Sequence, residues 1–489
     1  MKQKAAGNTC GFFAAHCKPH NRDWHFQYAF ASTLPHRHAA DSYADRHQRE
    51  RTPNVQTALF PAATDRRAAS ELMFRVRAHE DPSTLDILQP HFDATLERIS
   101  QCERVILSQE TFKLDLTNPH MRRRKGRKYV EPVDPDCISK AFADLMFAVS
   151  PTGLPLGTVW HRFQPCEEIE KKKPADQQQE TSHWAEGLRN ARDVATACPK
   201  TSCVYVADCD TNICDLFSEP RSNGTDGSAS EVQIIVQADP EGSAEAGGWL
   251  DHLRATPCLL TFSLSFSRKS EKSKVAGHKR AYTGTAPPAN VELRAMTVTV
   301  PPPASRKATQ PPVTVNVVLV EEPGPPESIA PIQWILATTL PISTLEEIRM
   351  IVDTWSHRWQ ISTLISTLRE GLTTPHGGFD EPYSLEELAA SLIISWRVNY
   401  LLCLFDDWPD CSCELVFQPS EWKCLCAYIH RGKPVPAQPL RLKEMIELVA
   451  QSGGYIKRSR SVPGVKSLWQ GLQGLQTLAF ARPIFGSRD

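Results

Sequence analysis

The segment Cys203-Val-Tyr-Val-Ala207, which ends on Asp208 and runs into an apolar stretch at Ile213–Phe217, constrains the fold of this chain most. A short continuous apolar run bounded by polar residues is the pattern of a strand buried on both faces. Strand, acid, helix is the α/β arrangement in which ligands gather at the carboxyl ends of strands. Arg104-Val-Ile-Leu-Ser108 follows the same grammar, as a short buried strand that delivers Gln109, Glu110 and Thr111 at its C-terminal end. The expected fold class is therefore α/β.

Composition sets the outer limits. A chain of 489 residues is too long for one simple core and suggests two to four domains. Its 41% apolar and 23% charged residues describe an ordinary globular composition. A formal net charge of −1 gives no bulk attraction to nucleic acid, so any such role must rest on local basic clusters. The longest apolar runs, LAASLIISW and PCLLTFSLSF, fall short of the roughly 20 residues of a membrane span, and no membrane partner is expected. Lys2, Lys4, His16, Lys18 and His20 interrupt any signal-peptide core, which points to a cytoplasmic protein with reduced cysteines.

Residues 1–70 are rich in His, Arg and Ala and hold no sustained period, the pattern of a divergent, poorly ordered region. Thr84 to Ile99 has helical apolar spacing. Leu145–Val149 and Pro155–Trp160 read as two strands joined by the Pro151-Thr-Gly153 turn, and Trp184–Ala197 reads as a helix. After a polar loop at 219–231, the segments IIVQA, CLLTFSLSF, VELRAMTVTV and VTVNVVLVEE make residues 233–325 β-rich. Trp334–Thr338 returns to the buried-strand type. Ser343 and Glu346 then read as a capping box that opens one long helix closed by Gly371 and Pro375. Ser384 and Glu387 cap the apolar stretch that follows, and Leu468, Leu472, Leu475 and Leu478 share one face of a last helix.

In the long helix, at about 100° per residue, Trp355, Arg358, Ser362 and Arg369 fall within roughly 60° of one another. An aromatic ring and two fixed cations in one stripe suit a phosphate backbone. Trp334 and Trp355 can equally be core residues. Two weaker basic signals are Arg122–Lys128, which suits either several phosphates or a solvated loop, and Lys171–Lys173, a solvated turn. Cys411-x-Cys413 with Cys424-x-Cys426 resembles a zinc ligand set. However, 421–428 reads as helix, which turns residues two apart to different faces.

Four segments occur in the order found in a known family. VILSQETFKLDLT resembles the first-acid segment of bacterial cut-and-paste transposases of the DDE class, and VYVADCDTNICDLF resembles their second-acid segment. PIQWILATTLPISTLEEIRMIVDTWSHRWQIS is similar to the third-acid segment of the insertion-sequence-four family, Tn-five-like branch. QSGGYIKRSRSVPGVKSLWQGLQGLQTL is similar to that branch's dimerisation region. The resemblance covers roughly residues 75–489. It implies a ribonuclease H-like core in two parts, 71–232 and 326–375, a β-rich insertion at 233–325 and a helical dimerisation region at 376–489. It further implies a homodimer that binds the double-stranded DNA of transposon ends, cuts it and inserts it elsewhere with Mg²⁺ or Mn²⁺.

The resemblance assigns the three acid positions to Glu110, Asp208 and Ser362, with Glu110 and Asp208 as metal ligands. Glu110 is a methylene longer than the family's Asp, on the order of 1 Å of extra reach, and displacements of that size can cost roughly 100-fold in rate. Asp208 matches. Ser362 brings no charge to hold an ion in a two-metal displacement, and Glu370 lies about 12 Å further along the helix. The family's DNA contacts map to Trp334, which matches a Trp that packs on a flipped base, and to Trp355, Arg358 and Arg369. The functional expectation is a transposase-derived DNA-binding protein with impaired catalysis. The alternatives are a non-catalytic remnant that dimerises and binds DNA, and a globular α/β protein with no DNA role.

Overall fold

The computed structural model describes residues 83–116, 140–165, 180–208, 213–222, 231–238, 249–264, 289–302, 311–325, 331–373, 384–431, 433–457 and 462–485. The expectations for residues 1–70, Arg122–Lys128 and Lys171–Lys173 lie outside the described residues. Helix α1, Thr84–Ser100, opens on a capping box between Ser83 and Asp86 and buries Ile87, Leu88, Phe92 and Ile99. Strands β1 (Arg104–Asp115), β2 (Lys140–Val149) and β3 (Pro155–Pro165) follow. The β2–β3 turn carries Gly153 at φ 85°, a left-handed conformation that glycine adopts without steric cost. Then come α2 (Glu180–Ala197), β4 (Ser202–Ala207), α3 (Ile213–Ser218), β5 (Gln233–Gln237), α4 (Trp249–Ala255) and β6 (Leu260–Leu264). Strands β7 (Ala289–Val300), β8 (Val313–Glu321) and β9 (Gln333–Thr338) complete the strand-bearing part.

The described strands form one mixed nine-stranded sheet in the order β3-β2-β1-β4-β5-β9-β8-β7-β6. β1 is antiparallel to β2 and parallel to β4, and β4 is parallel to β5. The segment IIVQA forms β5, which lies between β4 and β9 at the middle of the sheet rather than apart with β6–β8. Its partner β9 lies about a hundred residues downstream, and pairing over that distance leaves no local pattern to read. β1 also runs further than its apolar stretch. Antiparallel pairing with β2 carries it through Glu110 to Asp115, so Glu110 sits within the strand and not at its end.

Two helices, α5 (Leu345–His357) and α6 (Trp359–Leu372), occupy the place of the one long helix. At the junction, the Arg358 N–H donates to the Trp355 carbonyl (3.1 Å) and the Ile361 N–H donates to the Arg358 carbonyl (3.1 Å). These three-residue bonds tighten the turn there. The capping box sits one residue later than expected, between Thr344 and Glu347, while the Ser343 N–H also donates to the Glu347 carboxylate (2.7 Å). The C-terminal part is helical: α7 (Leu385–Asp407), α8 (Pro419–Ile429), α9 (Leu442–Ser452) and α10 (Val465–Phe485). Ser384 and Glu387 cap α7 as expected.

Helix α7 is long and apolar enough to cross a membrane by length and composition, and almost all of its apolar window is buried within the protein. No uninterrupted apolar run reaches that length, because Arg397 and Asn399 break the stretch. Arg397 donates to Glu421 (2.9 Å) and the Asn399 carbonyl oxygen accepts from Thr367 (2.7 Å), while the Asn399 amide nitrogen is buried with no hydrogen-bond partner. Helix α7 is tied to the sheet where the Trp396 indole donates to the Pro155 carbonyl (3.0 Å) and stacks under Arg98 of α1 (4.5 Å). Leu468, Leu472 and Leu475 of α10 are fully buried, and Leu478 packs at the margin. All described cysteines are free. Cys413 and Cys426 are buried, and burial pushes the Cys413 thiol up to about 12, which opposes the thiolate that zinc requires.

Candidate active site and its charge balance

Strand register builds the site. The parallel pair β1–β4 ends with Gln109 opposite Ala207, so Glu110 is the next residue on β1 and Asp208 is the first residue past β4. Side chains alternate along β1 and separate two polar clusters. On the face covered by α5 and α6, Arg104 meets Met350 and Glu110 meets Ser362. On the face covered by α2, Gln109 accepts from Tyr205 (2.6 Å), and Thr111 reaches both Asp144 (2.5 Å) and His183 (2.9 Å). Arg162 closes that second cluster by pairing with Asp144 (2.6 Å) and Glu186 (2.5 Å). Sequence reading found the first cluster and missed the second, although alternation along β1 was the signal for it.

The structure brings the three acid positions together. The Ser362 hydroxyl of α6 donates to Glu110 Oε2 at 3.0 Å across 252 residues of chain. Arg358, at the α5–α6 junction, places Nη1 3.3 Å from Asp208 Oδ2. Burial pushes the Glu110 carboxyl above the ordinary glutamate range. Arg358, the Ser362 hydrogen bond and Arg369 pull it down by less, while the charge of Asp208 adds to the rise. Asp208 itself is open to solvent, with 54% of its side chain exposed.

The tryptophans and arginines are less uniform than one stripe. Trp355 is fully buried and Trp334 is 8% exposed, so both are enclosed in the core of this chain. Arg358 is buried as well, with its guanidinium 4.3 Å from the Trp355 ring and 4.5 Å from the Trp359 ring. Trp359, four residues beyond Trp355 and next to Arg358, escaped the sequence reading although WSHRW displays it. Arg369 is exposed, donates to the Lys113 carbonyl (3.3 Å) and lies 5.7 Å from the Phe112 ring. The helical wheel assumes one continuous helix, whereas two helices carry these side chains, Trp355 on α5 and Ser362 and Arg369 on α6. The break at Arg358 and the packing of α5 against the sheet decided which were covered.

The donor set does not fit a pair of divalent ions. Two carboxylates are present, the third position offers a hydroxyl whose proton is engaged by Glu110, and a guanidinium lies against Asp208. Among the described residues, no three His, Cys, Asp or Glu side chains gather where they could hold a metal ion. Mg²⁺ needs several oxygen donors in near-octahedral order, and a fixed cation beside one of them opposes its entry.

The fold and site thus define a mixed α/β protein with a two-carboxylate cluster on a large sheet and a helical C-terminal region. Residues 393–483 match the family model described as the Transposase Tn5 dimerisation domain. The match runs from within α7 into α10 and supports a Tn5-like transposase family and a homodimer.

Proposed function

We propose that this chain is a transposase-derived protein of the insertion-sequence-four type. In this reading it self-associates through its C-terminal helices, binds double-stranded DNA and carries impaired machinery for strand cleavage and transfer. The observation that carries the reading is that Glu110, Asp208 and Ser362, far apart in sequence, share one site: Ser362 donates to Glu110, Arg358 meets Asp208, and Arg358 and Asp208 both act on the Glu110 charge. The order β3-β2-β1-β4-β5, an antiparallel meander followed by two strands parallel to β1, supports a ribonuclease H-like core. The three outer strands β6–β8, placed in sequence between Asp208 and α5, support the inserted β-rich segment.

In an intact relative, Mg²⁺ or Mn²⁺ would stabilise the attacking and leaving oxygens at phosphorus. Here Glu110 and Asp208 are the only acids left at those positions. Arg369 is the exposed cation for a DNA phosphate. Arg358 would have to leave Asp208 to serve as one, and Trp334 and Trp355 would have to leave the core. The non-catalytic remnant, which dimerises and binds DNA without cutting it, is favoured by the Arg358–Asp208 contact.

A nicking assay on duplex DNA with the full chain in Mg²⁺ or Mn²⁺ tests the reading. The expected result is no cleavage above background for the natural chain, with activity appearing in the Glu110→Asp, Ser362→Glu double variant. Metal-dependent nicking by the natural chain that Asp208→Ala abolishes would overturn the impairment. DNA retention that falls with salt and weakens in Arg369→Ala supports the binding role, and salt-independent absence of retention would overturn it.

A further inference from the structure

The poor match between this pocket and a divalent ion has a positive side. We infer that Arg358 is a built-in countercharge for the Glu110–Asp208 pair, standing in the electrostatic place of a bound cation and leaving the pocket indifferent to divalent metal. The inference deepens the reading of the site as a transposase remnant, and it rests on that reading for the identity of the two acids.

Three observations support it. First, Arg358 is held in place. Its side chain is 7% exposed, and the guanidinium is flanked by the Trp355 and Trp359 rings at 4.3 and 4.5 Å. A guanidinium keeps its charge at any working pH, and two indole faces stabilise it where water is excluded. Second, it is aimed at the acids. Nη1 lies 3.3 Å from Asp208, and its field also reaches Glu110. Its Nε has no hydrogen-bond partner, so the geometry favours charge and stacking over a full set of hydrogen bonds. Third, the position facing Glu110 supplies a hydroxyl donor, which meets the carboxyl directly at 3.0 Å. Each carboxyl thus has a partner from the protein itself, where a metal site would leave lone pairs open for the ion.

Thermal unfolding of the full chain, stripped with EDTA and then titrated with MnCl₂ or MgCl₂, tests the inference, with calorimetry as a second measure of binding. The natural chain is expected to unfold at the same temperature, within about 1 °C, with or without metal. Arg358→Gln is expected to unfold earlier and to gain a Mn²⁺-dependent rise of more than about 2 °C. Asp208→Asn, a change of the same shape at an exposed side chain, is the second arm. Lower stability without metal supports a working ion pair, and an unchanged Tm overturns it. The inference is also overturned if the natural chain is stabilised by Mn²⁺ and Asp208→Asn removes the effect. No DNA is present in this experiment. A negative result therefore removes the countercharge alone, whereas loss of DNA retention removes the transposase reading and leaves these Tm outcomes standing.

Discussion

Two arginines in different halves of the molecule solve the same problem differently. Arg397 of α7 and Arg358 at the α5–α6 junction are both buried, both lie near aromatic rings and both pair with a carboxylate. Arg397 meets Glu421 at 2.9 Å, and each side chain is only 8% exposed. Arg358 meets Asp208 at 3.3 Å, and Asp208 is 54% exposed. A closed pair can only hold its elements together, because nothing from solvent reaches it. An open pair leaves one carboxylate facing the place a ligand would come from. The C-terminal half thus uses its buried charge as architecture, while the sheet half keeps its charge at a surface where chemistry can be gained or lost.

The largest effect that would break this comparison is at the closed pair. Arg397→Ala leaves the buried Glu421 carboxylate without its countercharge, with the Gln418 N–H still donating to it (2.8 Å), and is expected to cost about 3–5 kcal/mol in denaturant unfolding. The Arg397→Met, Glu421→Leu double variant should recover part of that loss, since an apolar pair of similar volume removes the desolvation problem while the Gln418 N–H loses its cap at the start of α8. A cost below about 1 kcal/mol for Arg397→Ala would place the pair with ordinary surface pairs.

A smaller effect tests whether the C-terminal half is held by close packing. A Cβ built on Gly471 of α10 would stand 1.8 Å from the Val449 carbonyl oxygen of α9, and one on Gly453 would stand 2.0 Å from the Ser467 carbonyl oxygen. Backbone oxygen cannot swing aside as a flexible side chain can, so the two helices must separate. Gly471→Ala is expected to destabilise the chain by roughly 1–3 kcal/mol, as overpacking does. If residues 393–483 form the dimer contact, sedimentation should also show weaker association. Unchanged stability and association would mean that α9 and α10 are not locked.

The smallest effect belongs to Glu110 and depends on pH. Its carboxyl is shifted above the ordinary range by burial, so the folded state holds the proton more tightly than the unfolded chain. Its contribution is fully present below the unfolded glutamate value and is lost as pH rises through the folded value. Glu110→Gln should therefore flatten the fall in stability over that window and stabilise the chain at neutral pH. An identical pH profile in the variant would show that Ser362, Arg358 and Arg369 fully offset the burial.

Much of the chain could be read without coordinates. The apolar runs at 104–108, 203–207 and 334–338 became strands, Ser384 and Glu387 became a cap, and Leu468, Leu472 and Leu475 became a buried face. Each of these depends on periodicity or on a contact three or four residues away, which a one-dimensional string records. The pairing of Glu110 with Ser362 was reached only through likeness to a family, because nothing local links a strand to a helix 252 residues later.

The sequence determined the alternation that turns Glu110 and Thr111 to opposite faces, the acid that follows β4 and the absence of an acid at position 362. It did not decide that α5 and α6 separate at Arg358, since Leu345–Leu372 has no proline or mid-helix glycine to mark a break. Nor did it decide that Trp355 is enclosed, that β5 lies at the centre of the sheet, or that a guanidinium rests between two indoles beside Asp208. Helical spacing gives direction around an axis. Depth, partner and charge balance depend on which surfaces the rest of the fold brings against that axis.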